Sequence, residues 1–208
     1  MTPQAMWPYI CPNSPPDVVV HALETVRPET CQTGEVIRRI CVVGNTASGK
    51  SHLAGRLAAQ LGLPLTHLDQ VYWQAGWSHV SRTEFLAAQR DLIAEPGWVI
   101  DGCFSEFGLR QRFEAADVVV FLDLPIGGCL RRAAQRRGDQ RADLPAGADD
   151  ARMGLGLMLA FLAEMVLFPL LDRPRILQAV RQSGVRLFRM RTWSDEEDLV
   201  VKLTERVV

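Results

Sequence analysis

The feature that most constrains this chain is Gly44-Asn45-Thr46-Ala47-Ser48-Gly49-Lys50-Ser51, a G-x-x-x-x-G-K-S loop. It follows Arg38-Arg39-Ile40-Cys41-Val42-Val43, an apolar run of buried-strand type. It precedes Ser51 to Leu61, where Leu53, Leu57 and Leu61 recur at helical spacing until Gly62 and Pro64 stop them. Between a strand and a helix, such a loop curls successive backbone N–H groups around a phosphate, and the helix N-terminus adds its positive end. Lys50 is then expected to reach the β- and γ-phosphates of a nucleotide, and the Ser51 hydroxyl to ligate Mg²⁺. His52 extends the segment expected to line the nucleotide. Lys and Arg together number 23, and only Lys50 and Lys202 are lysines, so a lysine at this place is no accident of composition.

The rest of the chain repeats the alternation. Leu65 to Leu68 reads as a second strand ending at Asp69, and Ser81-Arg82-Thr83-Glu84 is a capping box opening a helix to about Ala94. Trp98-Val99-Ile100 is a third strand ending at Asp101-Gly102, Val118 to Leu122 a fourth ending at Asp123, and Val185 to Arg189 a fifth. Ser194-Asp195-Glu196-Glu197 opens a last helix. Fully apolar strands alternating with helices predict an α/β fold with a parallel sheet covered on both faces.

At 208 residues one domain is expected, here residues 35–208, preceded by an irregular extension over 1–34 that holds six of the twelve prolines. A net charge of −1 gives no global reason for nucleic-acid or membrane-surface binding. Five scattered cysteines without a C-x-x-C pair, and four histidines without a ligand pattern, suggest neither a disulfide framework nor zinc. With no signal peptide visible, a reduced cytoplasmic compartment is expected. Residues 154–171 approach membrane-span length, but Glu164, Pro169 and the surrounding α/β pattern favour a buried or interface helix.

Two further groups carry chemistry. Arg131, Arg132, Arg136, Arg137 and Arg141 crowd the segment near 130–152, with Arg132 and Arg136 on one helix face. Converging guanidinium groups suit the charge of a transferring phosphoryl group, so this segment reads as a lid, with a nucleic-acid patch as the alternative. Asp69 and Asp101 end strands, where ligands of open α/β sheets sit. Such a carboxylate holds Mg²⁺ through water or accepts a proton from an acceptor hydroxyl. Trp73, with Tyr72 and Trp77, is placed to stack on a planar acceptor.

Together, the loop, Leu68-Asp69-Gln70-Val71-Tyr72-Trp73-Gln74-Ala75-Gly76-Trp77, Trp98-Val99-Ile100-Asp101-Gly102 and Phe121-Leu122-Asp123-Leu124-Pro125 resemble the adenylate-kinase-like DNA topology modulation proteins. The likeness covers about residues 38 to 193. It implies a P-loop NTPase fold of the nucleoside-monophosphate-kinase type, a five-stranded parallel sheet, ATP and Mg²⁺. By the same analogy Asp101 lies near metal and acceptor, Arg110 contacts an acceptor phosphate, and Arg132 and Arg136 are lid arginines. Ala47 stands where such kinases usually have glycine, and Cys103 where the family usually has asparagine.

The expectation is therefore an ATP-dependent phosphotransferase acting on a small molecule, most simply a nucleoside or nucleotide. The catalytic set is Lys50, Asp101, Arg132 and Arg136; Asp69, Trp73 and Arg110 bind the acceptor, and Ser51 and Asp101 hold the metal. The competing expectation is an ATP-binding regulatory protein that contacts DNA or a protein through its arginines. The charge balance and the absence of a DNA-binding motif favour the enzyme.

Overall fold

A computed structural model describes residues 36–135, 143–145 and 154–204. The expected 1–34 extension and most of the arginine-rich segment, Arg136 included, lie outside the described residues.

Five parallel strands form one sheet in the order β2-β3-β1-β4-β5: β1 (Arg39–Gly44), β2 (Leu65–His67), β3 (Trp98–Asp101), β4 (Val118–Leu122) and β5 (Arg186–Met190). The chain has the P-loop kinase fold of the nucleoside-monophosphate-kinase type. Central β1 pairs Val42 with Asp101 of β3 and Gly44 with Leu122 of β4. Every residue of β3 and β4 is buried, as expected of strands covered on both faces.

Helix α1 (Lys50–Leu61) packs Leu53, Ala54, Leu57 and Ala58 onto the sheet. Its last turn is closed by Gly62 and Leu63, whose N–H groups both donate to Ala58 O. Helix α2 (Leu68–Tyr72) starts directly at the end of β2, so Asp69 sits in its first turn and not on the strand. That corrects the expected boundary: β2 stops after three residues, once its pairing with β3 is exhausted. The capping box before α3 (Arg82–Ala94) forms as expected, with Ser81 Oγ accepting from the Glu84 N–H at 3.2 Å and Glu84 returning the bond at 2.9 Å.

The remaining helices are α4 (Leu109–Ala115), α5 (Ile126–Gln135), α6 (Leu155–Leu167), α7 (Asp172–Ser183) and α8 (Asp195–Thr204). Arg112 of α4 is fully buried and pins the β3–α4 loop, donating to the carbonyls of Cys103 and Phe107 and to Gln89 of α3. Asp123, just past β4, receives Arg189 of β5 and Arg173 of α7.

Of the two expectations for α6, a buried helix or an interface helix, the first is not met. Only Met165 is buried in it, while Leu155, Leu159, Leu162 and Val166 are exposed. Among the described residues no single helix is long and apolar enough to cross a membrane; α6 and α7 reach that length only together, across a 57° bend.

Candidate functional site

The loop is built by close packing at its two glycines. A Cβ on Gly44 would lie 2.8 Å from Leu122 O, and one on Gly49 would lie 2.2 Å from a ring carbon of Trp193. Gly49 also has φ 95°, which places its N–H where a side chain would be strained. Ala47, the departure from glycine, takes φ 55° and tucks its methyl against Cys129 and Met165. Asn45 is buried and fixes the loop twice: Oδ1 accepts from Thr46 N–H at 2.7 Å, and Nδ2 donates to Met165 O of α6 at 2.9 Å. Lys50 Nζ donates to Asn45 O at 3.3 Å, across the mouth of the loop.

Three buried polar atoms at this end of the sheet have no partner among the described residues: Ser48 Oγ inside the loop, Asp101 Oδ1 at the end of β3 beside β1, and Nε1 of Trp193, whose ring packs at Gly49. Buried polar atoms are nearly always satisfied, so orphans on the loop and at the strand end are informative. The other Asp101 oxygen, Oδ2, lies 2.8 Å from His67 Nδ1. That bond is the main cause raising His67 above the ordinary imidazole range, against the opposing effect of burial.

Of the residues expected at the site, the structure brings Arg132 onto the loop, with Nη1 donating to Ser48 O at 3.2 Å and the guanidinium stacked 4.6 Å from the Trp193 ring. Ser51 Oγ donates to Asp143 Oδ2 at 3.0 Å, drawing a residue of the arginine-rich segment to the expected metal position. The His52 side chain turns outward, 3.8 Å from Glu196, so only its backbone belongs to the loop. Arg110 pairs with Glu114 at 2.7 Å and lines a groove of about 560 Å³ between α3, α4 and α7 that includes no residue of the loop. Trp73 packs with Trp77 and Phe161.

Several residues of the site escaped the sequence reading. Trp193 and Asp143 belong to no motif, and Glu164 had served only as an argument against a membrane span. Glu164 stands on α6 immediately before Met165, whose carbonyl takes the Asn45 amide of the loop. Solvent reaches Glu164, yet surrounding protein together with Asp172 and Asp69 pushes its carboxyl up to about 7, against the pull of Lys50. Asp172 accepts a hydrogen bond from Ser105 Oγ, and burial raises it also.

No family model matches the chain, and no curated protein matches its sequence. Solved structures match in fold. A shikimate kinase from Acinetobacter baumannii in complex with shikimate aligns over 81% of this chain and 92% of its own, with 16% identity and a TM-score of 0.53. A gluconokinase from Sinorhizobium meliloti 1021 aligns over 82% of this chain and 91% of its own, with 19% identity and a TM-score of 0.50.

Proposed function

We propose that this chain is an ATP-dependent small-molecule kinase. The observation that carries the reading is the pairing of a phosphate cradle, with its orphaned Ser48 Oγ, and an orphaned, buried Asp101 oxygen at the same end of the sheet. The first serves the nucleotide, and the second would serve the hydroxyl of an acceptor as well as water on a bound metal. The small-molecule kinases that share the fold support it, as does the motif likeness to topology modulation proteins, which itself names no acceptor.

The residues present fit ATP and Mg²⁺. The backbone N–H groups of the loop and Lys50 would hold the β- and γ-phosphates, Ser51 would hold the metal directly and Asp101 through water, with Asp143 standing beside Ser51. Bound there, magnesium neutralises charge on the phosphate oxygens. His67 fixes the rotamer of Asp101 through Oδ2 and leaves Oδ1 to accept the proton of an acceptor hydroxyl. The hydroxyl oxygen bonds to the γ-phosphorus, the bond from that phosphorus to the oxygen of departing ADP breaks, and the proton passes to Asp101. Arg132, already on the loop, would neutralise charge during transfer, with Arg136 assigned the same role from its spacing.

The test is ADP release by wild type and Lys50→Ala over a panel of small alcohols, sugars and nucleosides. Loss of at least about 10²-fold is expected for removal of one preorganised charge. Equal turnover by the variant overturns the reading.

A further inference from the structure

The acceptor side of the cleft has a chemical character that narrows what it takes. Asp69 and Trp73 stand four residues apart on and just after α2, while Phe161 and Glu164 stand three apart on α6, so each pair shares a face. The faces oppose one another. Trp73 and Phe161 have ring centroids 5.9 Å apart, Trp77 closes the triangle at 5.5 Å and 5.9 Å, and Asp69 acts electrostatically on Glu164. The cleft thus has an acidic end toward Lys50 and an aromatic wall beyond it.

Charge at the acidic end is one-sided. The Glu164 carboxyl group makes no hydrogen bond or ion pair with the described residues, and the carboxylates that act on it are Asp172, Asp69 and Glu106. The cation acting on it is Lys50, which a bound triphosphate engages. The described arginines nearby are committed elsewhere: Arg175 to Glu106 at 2.8 Å, Arg173 to Asp123, and Arg132 to Ser48 and Trp193. Among the described residues, a phosphorylated or carboxylated acceptor would meet like charge at Glu164. The orphaned, 3% exposed Asp101 carboxylate independently calls for a donor in the same cleft.

We propose that the acceptor is an alcohol carrying a protonated amine, its hydroxyl at Asp101, its ammonium at Glu164, and its carbon skeleton against the Trp73–Trp77–Phe161 wall. Aromatic faces add attraction for an ammonium, and carboxylates give it charge-assisted hydrogen bonds. The ammonium makes and breaks no covalent bond; transfer proceeds at the hydroxyl as above. This inference rests on the kinase reading and specifies its substrate class.

Matched acceptors that differ only in charge test it: glucosamine, glucose and gluconate as one set, serinol, glycerol and glycerate as another. ADP release is measured with wild type, Glu164→Gln and Lys50→Ala. The expected result is a kcat/KM for the amine members about 10- to 100-fold above their neutral partners, as one charged hydrogen bond implies. That preference should vanish in Glu164→Gln while the Kd for ATP stays within about threefold. Lys50-dependent turnover that favours gluconate or glycerate, or an amine preference that survives Glu164→Gln, overturns the substrate class and leaves the kinase reading standing. Absence of turnover with every amine member also overturns it, and absence of Lys50-dependent ADP release from all six removes both.

Discussion

Gly49→Ala separates two physical contributions that meet in the phosphate loop. The new Cβ would lie 2.2 Å and 2.4 Å from two ring carbons of Trp193, at a backbone φ of 95°. Holding an L-residue at positive φ costs roughly 1–2 kcal/mol. The ring must also retreat by about 1.2 Å before ordinary contact near 3.4 Å returns, and overpacking of this kind typically costs about 1–3 kcal/mol. Trp193 is half-buried and can swing outward, but doing so breaks its stacking on Arg132, worth about 0.5–2 kcal/mol. The clash and the lost stacking are alternatives, because the ring either stays or leaves, so the sum for the variant is about 2–5 kcal/mol. A typical domain is stable by about 5–15 kcal/mol, so the loss is measurable without abolishing folding.

The assay is denaturant unfolding of wild type, Gly49→Ala, Trp193→Ala and the double variant. In the Trp193→Ala background the contact is gone and only the backbone cost remains, so Gly49→Ala should fall to about 1–2 kcal/mol. The coupling between the two positions is then about 1–3 kcal/mol. An identical cost in both backgrounds, or a total under about 0.5 kcal/mol, refutes the claim that Trp193 seals the loop at Gly49.

Glu164 gives a pH dependence whose sign is fixed by its raised carboxyl: folded at about 7 against an ordinary 4.5. The favourable contribution of its neutral form is complete below the unfolded value and is lost as pH rises through about 7, so Glu164→Gln should exceed wild type in stability at about pH 8 and match it near pH 4. Asp172, Asp69 and Glu106 raise the same carboxyl and Lys50 opposes them, and an unchanged difference between the two pH values refutes the prediction. Asp123→Ala should cost about 1–2 kcal/mol in chemical denaturation, because it strands Arg189 and Arg173 at the β4–β5 edge; Asp123→Asn, which keeps one acceptor oxygen, should recover part of that. Ser81→Ala should cost about 1 kcal/mol in the same assay through loss of the α3 cap, with Ser81→Asp near wild type.

The parts of this structure that were legible in the sequence are those whose physics is local. Gly44 to Ser51 specifies its own turn and the helix that follows, Ser81 and Glu84 cap each other within one turn, and Val118 to Leu122 is apolar enough to be buried on both faces wherever it lands. What local physics leaves open is which distant residue meets which. Asn45 bonds Met165 across 120 positions, Ser51 bonds Asp143 across 92, and Arg132 reaches Ser48 across 84. No spacing rule connects such pairs; the sheet order does, by bringing the ends of β1, β3 and β4 together. The same limit explains Asp69 and Asp123, which look alike as carboxylates just beyond strands. One opens α2 toward the cleft, and the other is occupied by Arg189 and Arg173.

Helix α6 shows what apolar composition leaves open. A run this hydrophobic is ordinarily read as core, because burial is what stabilises apolar side chains. Here a single buried side chain, Met165, meets Ala47 and Cys129, and its carbonyl takes the Asn45 amide, so the helix is held to the phosphate loop at one point. Glu164 immediately precedes that anchor, and Phe161 lies one turn earlier against Trp73 and Trp77. The anchor therefore sets the height of Glu164 relative to Lys50, and the ring contacts set the rotation of the helix about it. Neither constraint requires the outward positions Leu155, Leu159, Leu162 and Val166 to be apolar. Placement of the carboxylate and the hydrophobicity of the exposed stripe are thus separable properties of one helix, and only the first bears on the chemistry of the cleft.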